Sequence, residues 1–241
     1  MIKLIFLFLS VLVITVFHSS SFADGGIVLG TTRVILDKDS KTIQMTNNSP
    51  ISYLIKSDLL ESPDLDNNKK NNAVMITPPL FKLAAHESRP IKLYKKNNAD
   101  TSVESLGYLA VLAIPAIDKA SGEKKNTVAV GLRNIIKVFI RPESLADKKK
   151  DNDCLIKIHQ NREAIILKNT TPYFITLMAV TLNDDAQNIL PDTIMLSPLA
   201  QGTFIYRKAL PPNTQIHWQT INDYGFASEW CRSTLQHSRI E

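Results

Sequence analysis

The sequence predicts an all-β protein folded as two sandwich domains in tandem. Three observations predict it. Short runs of alternating apolar and polar residues recur along the chain, rich in Val, Ile and Thr and separated by clusters of Asn, Asp, Ser and Pro. Nowhere do apolar residues hold a 3.6 period long enough for a substantial helix. A charged, non-periodic stretch at 142–153, PESLADKKKDND, interrupts the strand pattern, which then restarts.

Residues 1–23 read as a secretory signal peptide. Lys3 supplies the positive start, 4–17 is apolar apart from Ser10 and Thr15, and Ser21-Phe22-Ala23 places small residues at the two positions a signal peptidase reads. The apolar run of about 14 residues falls short of the ~20 that span a bilayer as a helix. Cleavage after Ala23 is expected to start the mature chain at Asp24 and to leave roughly 220 residues, enough for one large domain or two modest ones. No later segment is long and apolar enough to insert in a membrane.

The first domain is expected over 24–145. Strand patterns lie at 27–36, 42–46, 52–58, 74–77, 91–94, 106–114 and 128–140. Turn chemistry separates them: DKDSK at 37–41, NNSP at 47–50, PDLDNNKKNN at 63–72 and HESRP at 86–90. Pro78-Pro79 suits a strand boundary, because proline cannot serve a central ladder. Seven short strands over about 115 residues suit an immunoglobulin-like sandwich. A linker is expected at 146–153, with Lys148-Lys149-Lys150 as a solvated charge run. The second domain, 154–241, has strand patterns at 154–159, 164–168, 173–180, 193–196, 203–206 and 214–221.

The chain holds two cysteines, Cys154 and Cys231, both in this second domain. Two thiols in one domain of a secreted protein are expected to pair. Closing a loop of about 77 residues would stabilise the domain by about 4 kcal/mol on the chain-entropy model. Neither cysteine has a second ligand at metal spacing, so no metal is implied.

Composition excludes little but points away from catalysis. The formal net charge is +5, one unit of which leaves with Lys3. A mildly basic chain suits anionic partners, and no nucleic-acid motif is present. The five histidines, His18, His86, His159, His217 and His237, are scattered without metal spacing. No nucleophile elbow, phosphate loop or dinucleotide fingerprint is found. The sequence therefore names no catalytic residue and no cofactor.

The most informative stretch is 127–142, TVAVGLRNIIKVFIRP. Val128, Val130 and Leu132 alternate with Ala129 and Gly131, and Lys137 then sits among Ile135, Ile136, Val138 and Phe139. An exposed strand of this kind can donate its edge and alternate side chains to another protein. A buried strand with a lysine in its middle needs an anion for that lysine. Both readings describe a binding protein.

Motifs spread nearly end to end make the chain resemble the periplasmic pilus chaperones of the chaperone–usher pathway. They are TTR at 31–33, TPP at 77–79, ESLGYLAVLAIP at 104–115, IIKVFIRP at 135–142, NTTPYFITL at 169–177, MLSP at 195–198 and INDYG at 221–225. The short connection at 117–127 is similar to the family's short-loop branch. The resemblance implies two immunoglobulin-like domains set at an angle with a cleft between them. It implies a periplasmic location and an action by binding, without enzyme activity or cofactor. The implied partners are pilus subunits, including a tip adhesin, and an outer-membrane usher.

Site residues follow by resemblance. Val128, Val130 and Leu132 match the strand lent to a subunit that lacks its own last strand. Arg33 and Lys137 match the two cations that hold the subunit's C-terminal carboxylate. Glu104, Arg141 and Asp223 match an ion network between the domains. An exposed donor strand is an aggregation liability, and a self-capping homodimer would relieve it.

Two departures stand out. Many relatives carry Pro-Pro where this chain has Pro115-Ala116. Strict alternation puts Lys137 on the face opposite Val128, Val130 and Leu132, whereas a bulge near Asn134 would merge the faces. Two other functions fit the same fold class: a structural pilus subunit or adhesin, and a periplasmic carbohydrate-binding module. Subunits are usually a single domain with an alternating N-terminal extension, which this sequence does not resemble.

Overall fold

The computed structural model describes residues 26–64, 66, 69–96, 102–116, 130–146, 149, 153–161, 163–183, 185–211 and 213–237. The expected signal peptide, the short connection and Val128 lie outside these residues.

The described residues form strands and one 3-10 turn. In the first half the strands are β1 (Ile27–Leu29), β2 (Arg33–Leu36), β3 (Ser40–Asn47), β4 (Tyr53–Leu60), β5 (Val74–Thr77), β6 (Leu80–Leu83), β7 (Ser88–Lys95), β8 (Ser105–Pro115) and β9 (Leu132–Ile140). They build two facing sheets in the orders β1-β3-β7-β5 and β2-β9-β8-β4-β6. Inward residues of both sheets, among them Leu36, Met45, Ile55, Leu83, Ile91, Leu93, Leu109 and Val138, form one buried core. A 3-10 turn at Glu143–Leu145 follows β9.

In the second half the strands are β10 (Ile156–Asn161), β11 (Ala164–Asn169), β12 (Ile175–Leu182), β13 (Ile194–Leu196), β14 (Gln201–Ile205), β15 (Gln215–Thr220), β16 (Cys231–Thr234) and β17 (Gln236–His237). They make a second pair of sheets, β14-β11-β10-β17 and β13-β12-β15-β16. Trp218, Ile165, Leu167, Leu177 and Ile216 centre its separate core. The fold is all-β, in two sandwich domains, as the alternation implied.

The run at 27–36, expected as one strand, is two. Its first part pairs with β3 and its second with β9, so the chain crosses from one sheet to the other at Gly30-Thr31-Thr32. The Gly30 N–H still serves the first sheet, donating to the Gln44 carbonyl at 2.8 Å. Thr31 then turns its hydroxyl onto the Arg33 carbonyl. β6, directly after Pro78-Pro79, and β16 and β17 were not expected.

Each domain is pinned at the same corner by a buried asparagine. Asn47 Nδ2 donates to the carbonyls of Ile51 and Ala84, both at 2.7 Å, while its Oδ1 accepts from the Ser49 N–H and hydroxyl. Asn169 repeats this in the second domain, donating to Tyr173 and Ser197 and accepting from Thr171. The repeated sequences are NNSP and NTTP. A buried amide with both ends satisfied fixes a corner that apolar packing alone would leave loose.

Cys154 and Cys231 form a disulfide, with 5.3 Å between their Cα atoms. It clips the chain ahead of β10 to the start of β16, and Cys231 is part of the second core. Reducing it is expected to lower the second domain's stability by about 4 kcal/mol. Denaturant midpoints with and without reductant measure this, and an unchanged midpoint would contradict it.

Candidate functional site

Arg33 and Lys137 are brought together by the parallel pairing of β2 with β9, in which they are register partners. The register of β9 with β8 runs without a shift from Leu132 to Ile140, so there is no bulge at Asn134. Alternation therefore holds along β9. Val138 is in the core, with Ile136 and Ile140 packed against it. Lys137 and Phe139 take the other face, beside Arg33 and Ile35. The Arg33 guanidinium lies over the Phe139 ring, 5.5 Å from its centroid.

The two cations are half-buried, and among the described residues neither is ion-paired. Arg33 Nε is buried with no hydrogen-bond partner. Burial pulls the Arg33 pKa down, against the field of Asp223 and Glu104. Burial, and then the Arg33 charge, pull Lys137 down. Two neighbouring cations that disfavour one another, one with an unsatisfied buried N–H, are suited to hold a single carboxylate.

Next to them lies the ion network. Arg141 Nε donates to Glu104 Oε1 at 2.9 Å, and its two terminal nitrogens grip Asp223 at 2.8 and 3.0 Å. Glu104 belongs to the first domain and Asp223 to the second, so the guanidinium fork spans both. Glu104 also accepts from the Phe174 N–H at 2.9 Å, and its own N–H donates to the Pro172 carbonyl at 2.8 Å. Tyr173 donates its hydroxyl to the Leu145 carbonyl and carries Arg141 over its ring. Burial pushes the Glu104 carboxyl up, against the pull of Arg141. Asp223 is opposed by burial but held below the usual carboxylate range by Arg141 and Lys149.

Lys149 corrects the expected linker. The run Lys148-Lys149-Lys150 was to be a solvated charge cluster, yet the Lys149 side chain is 7% exposed and its Nζ meets Asp223 Oδ1 at 2.9 Å. A charge run does not reveal which of its members is turned inward. Tyr173 and Phe174 were also missed as network members; the NTTPYF sequence that contains them is the only signal for them.

The turn after Asp223 seats the second domain on the first. Asn222 Oδ1 accepts from the N–H groups of Tyr224 and Phe226, and Gly225 has a φ of 88°. A side chain there would be strained and would strike the Thr32 hydroxyl. Gly225 thus lets the INDYG turn close onto the TTR segment, next to Arg33.

The strand edge lies further along β9. β2 covers its second edge only from Lys137 to Ile140. Before that, among the described residues, the edge has no strand neighbour. Val130 is 70% exposed and Leu132 52%. Leu132 lies on the side of β9 that carries Ile136 and Val138, beyond the end of the core. The Pro115-Ala116 departure leaves the neighbouring strand intact: β8 runs to Pro115, and the Ala116 N–H donates to the Ser52 carbonyl at 2.9 Å. Among the described residues no helix is long and apolar enough to cross a membrane, and no group of side chains is arranged to hold a metal.

Residues 26–146 match the family model described as pili and flagellar-assembly chaperone, PapD N-terminal domain, and residues 155–230 match that of the PapD C-terminal domain. A probable fimbrial chaperone, ElfD, of Escherichia coli O157:H7 is 32% identical over 205 residues, covering 83% of each chain. The chaperone protein CssC of Escherichia coli is 27% identical over 233 residues, 93% of this chain and 98% of that one. The crystal structure of the periplasmic chaperone SfaE superposes with a TM-score of 0.66 at 28% identity, covering 87% of this chain and 100% of that chain. The two consecutive domain matches, the relatives that span both domains and the paired sandwiches agree: the chain belongs to the PapD family of pilus-assembly chaperones.

Proposed function

We propose that this chaperone captures pilus subunits in the periplasm by lending them the free edge of β9, and that Arg33 and Lys137 hold the subunit's C-terminal carboxylate. The observation that carries this reading is the pair of unpaired cations at the covered end of β9, one with a buried partnerless N–H, in line with an uncovered edge. A subunit strand added to that edge would satisfy backbone groups left open between Leu132 and Ile136. Its chain end would reach the cations, and a chain end fixes the register because only one exists per subunit.

Val128, Val130 and Leu132 are the side chains offered to the subunit's exposed core. Each contributes about 1.5–3 kcal/mol when fully buried, before ordering costs. The exposure of Val130 and Leu132 in the free chain supports this use. Glu104, Arg141 and Asp223 fix the angle between the domains. The remaining parts of the proposal are cleavage after Ala23, domains at 24–145 and 154–241 joined by 146–153, and delivery of subunits, a tip adhesin included, to an outer-membrane usher. The protein acts by binding alone, without a catalytic step.

Val130→Asp tests the donor edge. The free protein should stay folded, because the side chain is solvent-exposed, while capture of a pilus subunit in a co-expression pull-down should fall at least tenfold. A charge entering an apolar groove loses its hydration and gains no partner. Undiminished capture, or unfolding of the isolated variant, would remove Val130 from the donor strand.

A further inference from the structure

We infer that Lys149 is a positioning residue that keeps Arg33 free for the subunit's carboxylate by occupying Asp223. The inference rests on the reading of Arg33 and Lys137 above, but on separate contacts. The protein's own Asp223 is a competitor for Arg33: the Gly225 turn two residues on closes on Thr32 beside Arg33, and the field of Asp223 reaches Arg33. Asp223 nevertheless makes no ion pair with Arg33. Its Oδ2 is taken by Arg141 Nη1 at 2.8 Å, and its Oδ1 by Arg141 Nη2 at 3.0 Å together with Lys149 Nζ at 2.9 Å.

The charges around this point are unequal. Arg33, Lys137, Arg141 and Lys149 are cations; Glu104 and Asp223 are the carboxylates ion-paired among them, and the partly buried Asp153, with one oxygen unpartnered, lies in the field of Lys149. Glu104 is committed to Arg141 and the Phe174 N–H. With Lys149 in place, both ion-paired carboxylates are spent, and among the described residues Arg33 and Lys137 are left without an ion pair. Remove the Lys149 charge, and Asp223 regains an acceptor site and an unbalanced share of its charge. Arg33, with an unsatisfied Nε, is the cation able to use it. The protein would then fill its own binding site in part, and an incoming carboxylate would have to displace Asp223.

Lys149→Met keeps the length of the side chain and removes its charge. The probe is a synthetic peptide of alternating valine and threonine with either a free carboxylate or an amide at its end, and its affinity is measured by calorimetry. The variant should lose about tenfold in affinity for the carboxylate form and little for the amide form, and Lys149→Arg should restore the wild-type ratio. A purely structural role would weaken both forms alike.

A general loss of positive field is separated by Asp223→Asn. In that background the competitor is absent, so Lys149→Met should cost nothing further; a full tenfold loss there would overturn the inference. A wild-type protein that does not distinguish carboxylate from amide would remove the carboxylate site itself, and the inference with it. Discrimination by the wild type that survives unchanged in Lys149→Met would remove the role of Lys149 alone.

Discussion

Arg33→Ala and Lys137→Ala are each expected to cut affinity for a carboxylate-ended subunit peptide by about ten- to a hundredfold. This corresponds to losing one charge-assisted hydrogen bond of about 1.5–3 kcal/mol. The two cations serve one carboxylate, so the double variant should lose much less than the product of the single losses. Amidating the peptide should reproduce either substitution in the wild type and add little to the variants. Thermal stability of the free protein should hardly fall. Neither cation is ion-paired among the described residues, and removing Arg33 relieves the repulsion that lowers Lys137.

The same site sets a pH dependence. Lys137 in the free protein has a pKa pulled below the usual lysine value by burial and by Arg33. A bound carboxylate favours the charged form and raises that pKa again. Affinity is then full below the lowered free-state value and declines as pH rises through it, with a proton taken up on binding. Calorimetry in buffers of different ionisation heat reads the uptake directly. Equal wild-type affinity for carboxylate and amide peptides would sink the assignment, whatever the alanine variants did.

The fold was legible where side chains alternate against a core. Of the run expected as a strand over 128–140, Leu132 to Ile140 forms β9, whereas Val130 and Gly131 precede it outside any strand, and Lys137 reads as the exception that needs a partner. What alternation does not register is where a strand changes sheets. Nothing in GTTR alone says that Ile27 and Val34 belong to opposite layers; the crossing depends on Gln44 and Lys137, far along the chain. β6 was missed because Pro78-Pro79 reads as a break, yet its Leu80 resumes pairing at once, opposite Lys56. The corner asparagines Asn47 and Asn169 look like ordinary turn residues. Only the three-dimensional corner shows each amide buried and satisfied at both ends. Lys149 is the clearest limit. Three lysines in a row are alike in sequence, and what turns Lys149 inward is Asp223, more than seventy positions away.

Arg141→Met is expected to be the most damaging single change to the free protein. The Arg141 side chain is 3% exposed and the Glu104 side chain fully enclosed, so the substitution strands a buried carboxylate. Removing one partner of a buried ion pair costs about 3–5 kcal/mol. The Glu104 carboxyl, already pushed up by burial in the wild type, would rise further without Arg141. The sign follows from proton binding. A carboxyl whose folded-state pKa exceeds its unfolded value takes up its proton first in the folded state, so stability increases as pH falls through that raised value. Arg141→Met should therefore gain stability on acidification from neutrality toward the ordinary carboxylate range. Asp223 works in the opposite direction in the wild type. Its lowered pKa gives stability that is present above the unfolded value and lost as pH falls through the folded one. Scanning calorimetry across this pH range measures both effects. It should also show the variant's domains unfolding in two separated transitions, since Arg141 links Glu104 of the first domain to Asp223 of the second. The double variant Glu104→Gln with Arg141→Met removes the stranded charge and should recover part of the loss. A single variant as stable as wild type, with one transition and no acid-side gain, would mean that the network carries no coupling between the domains.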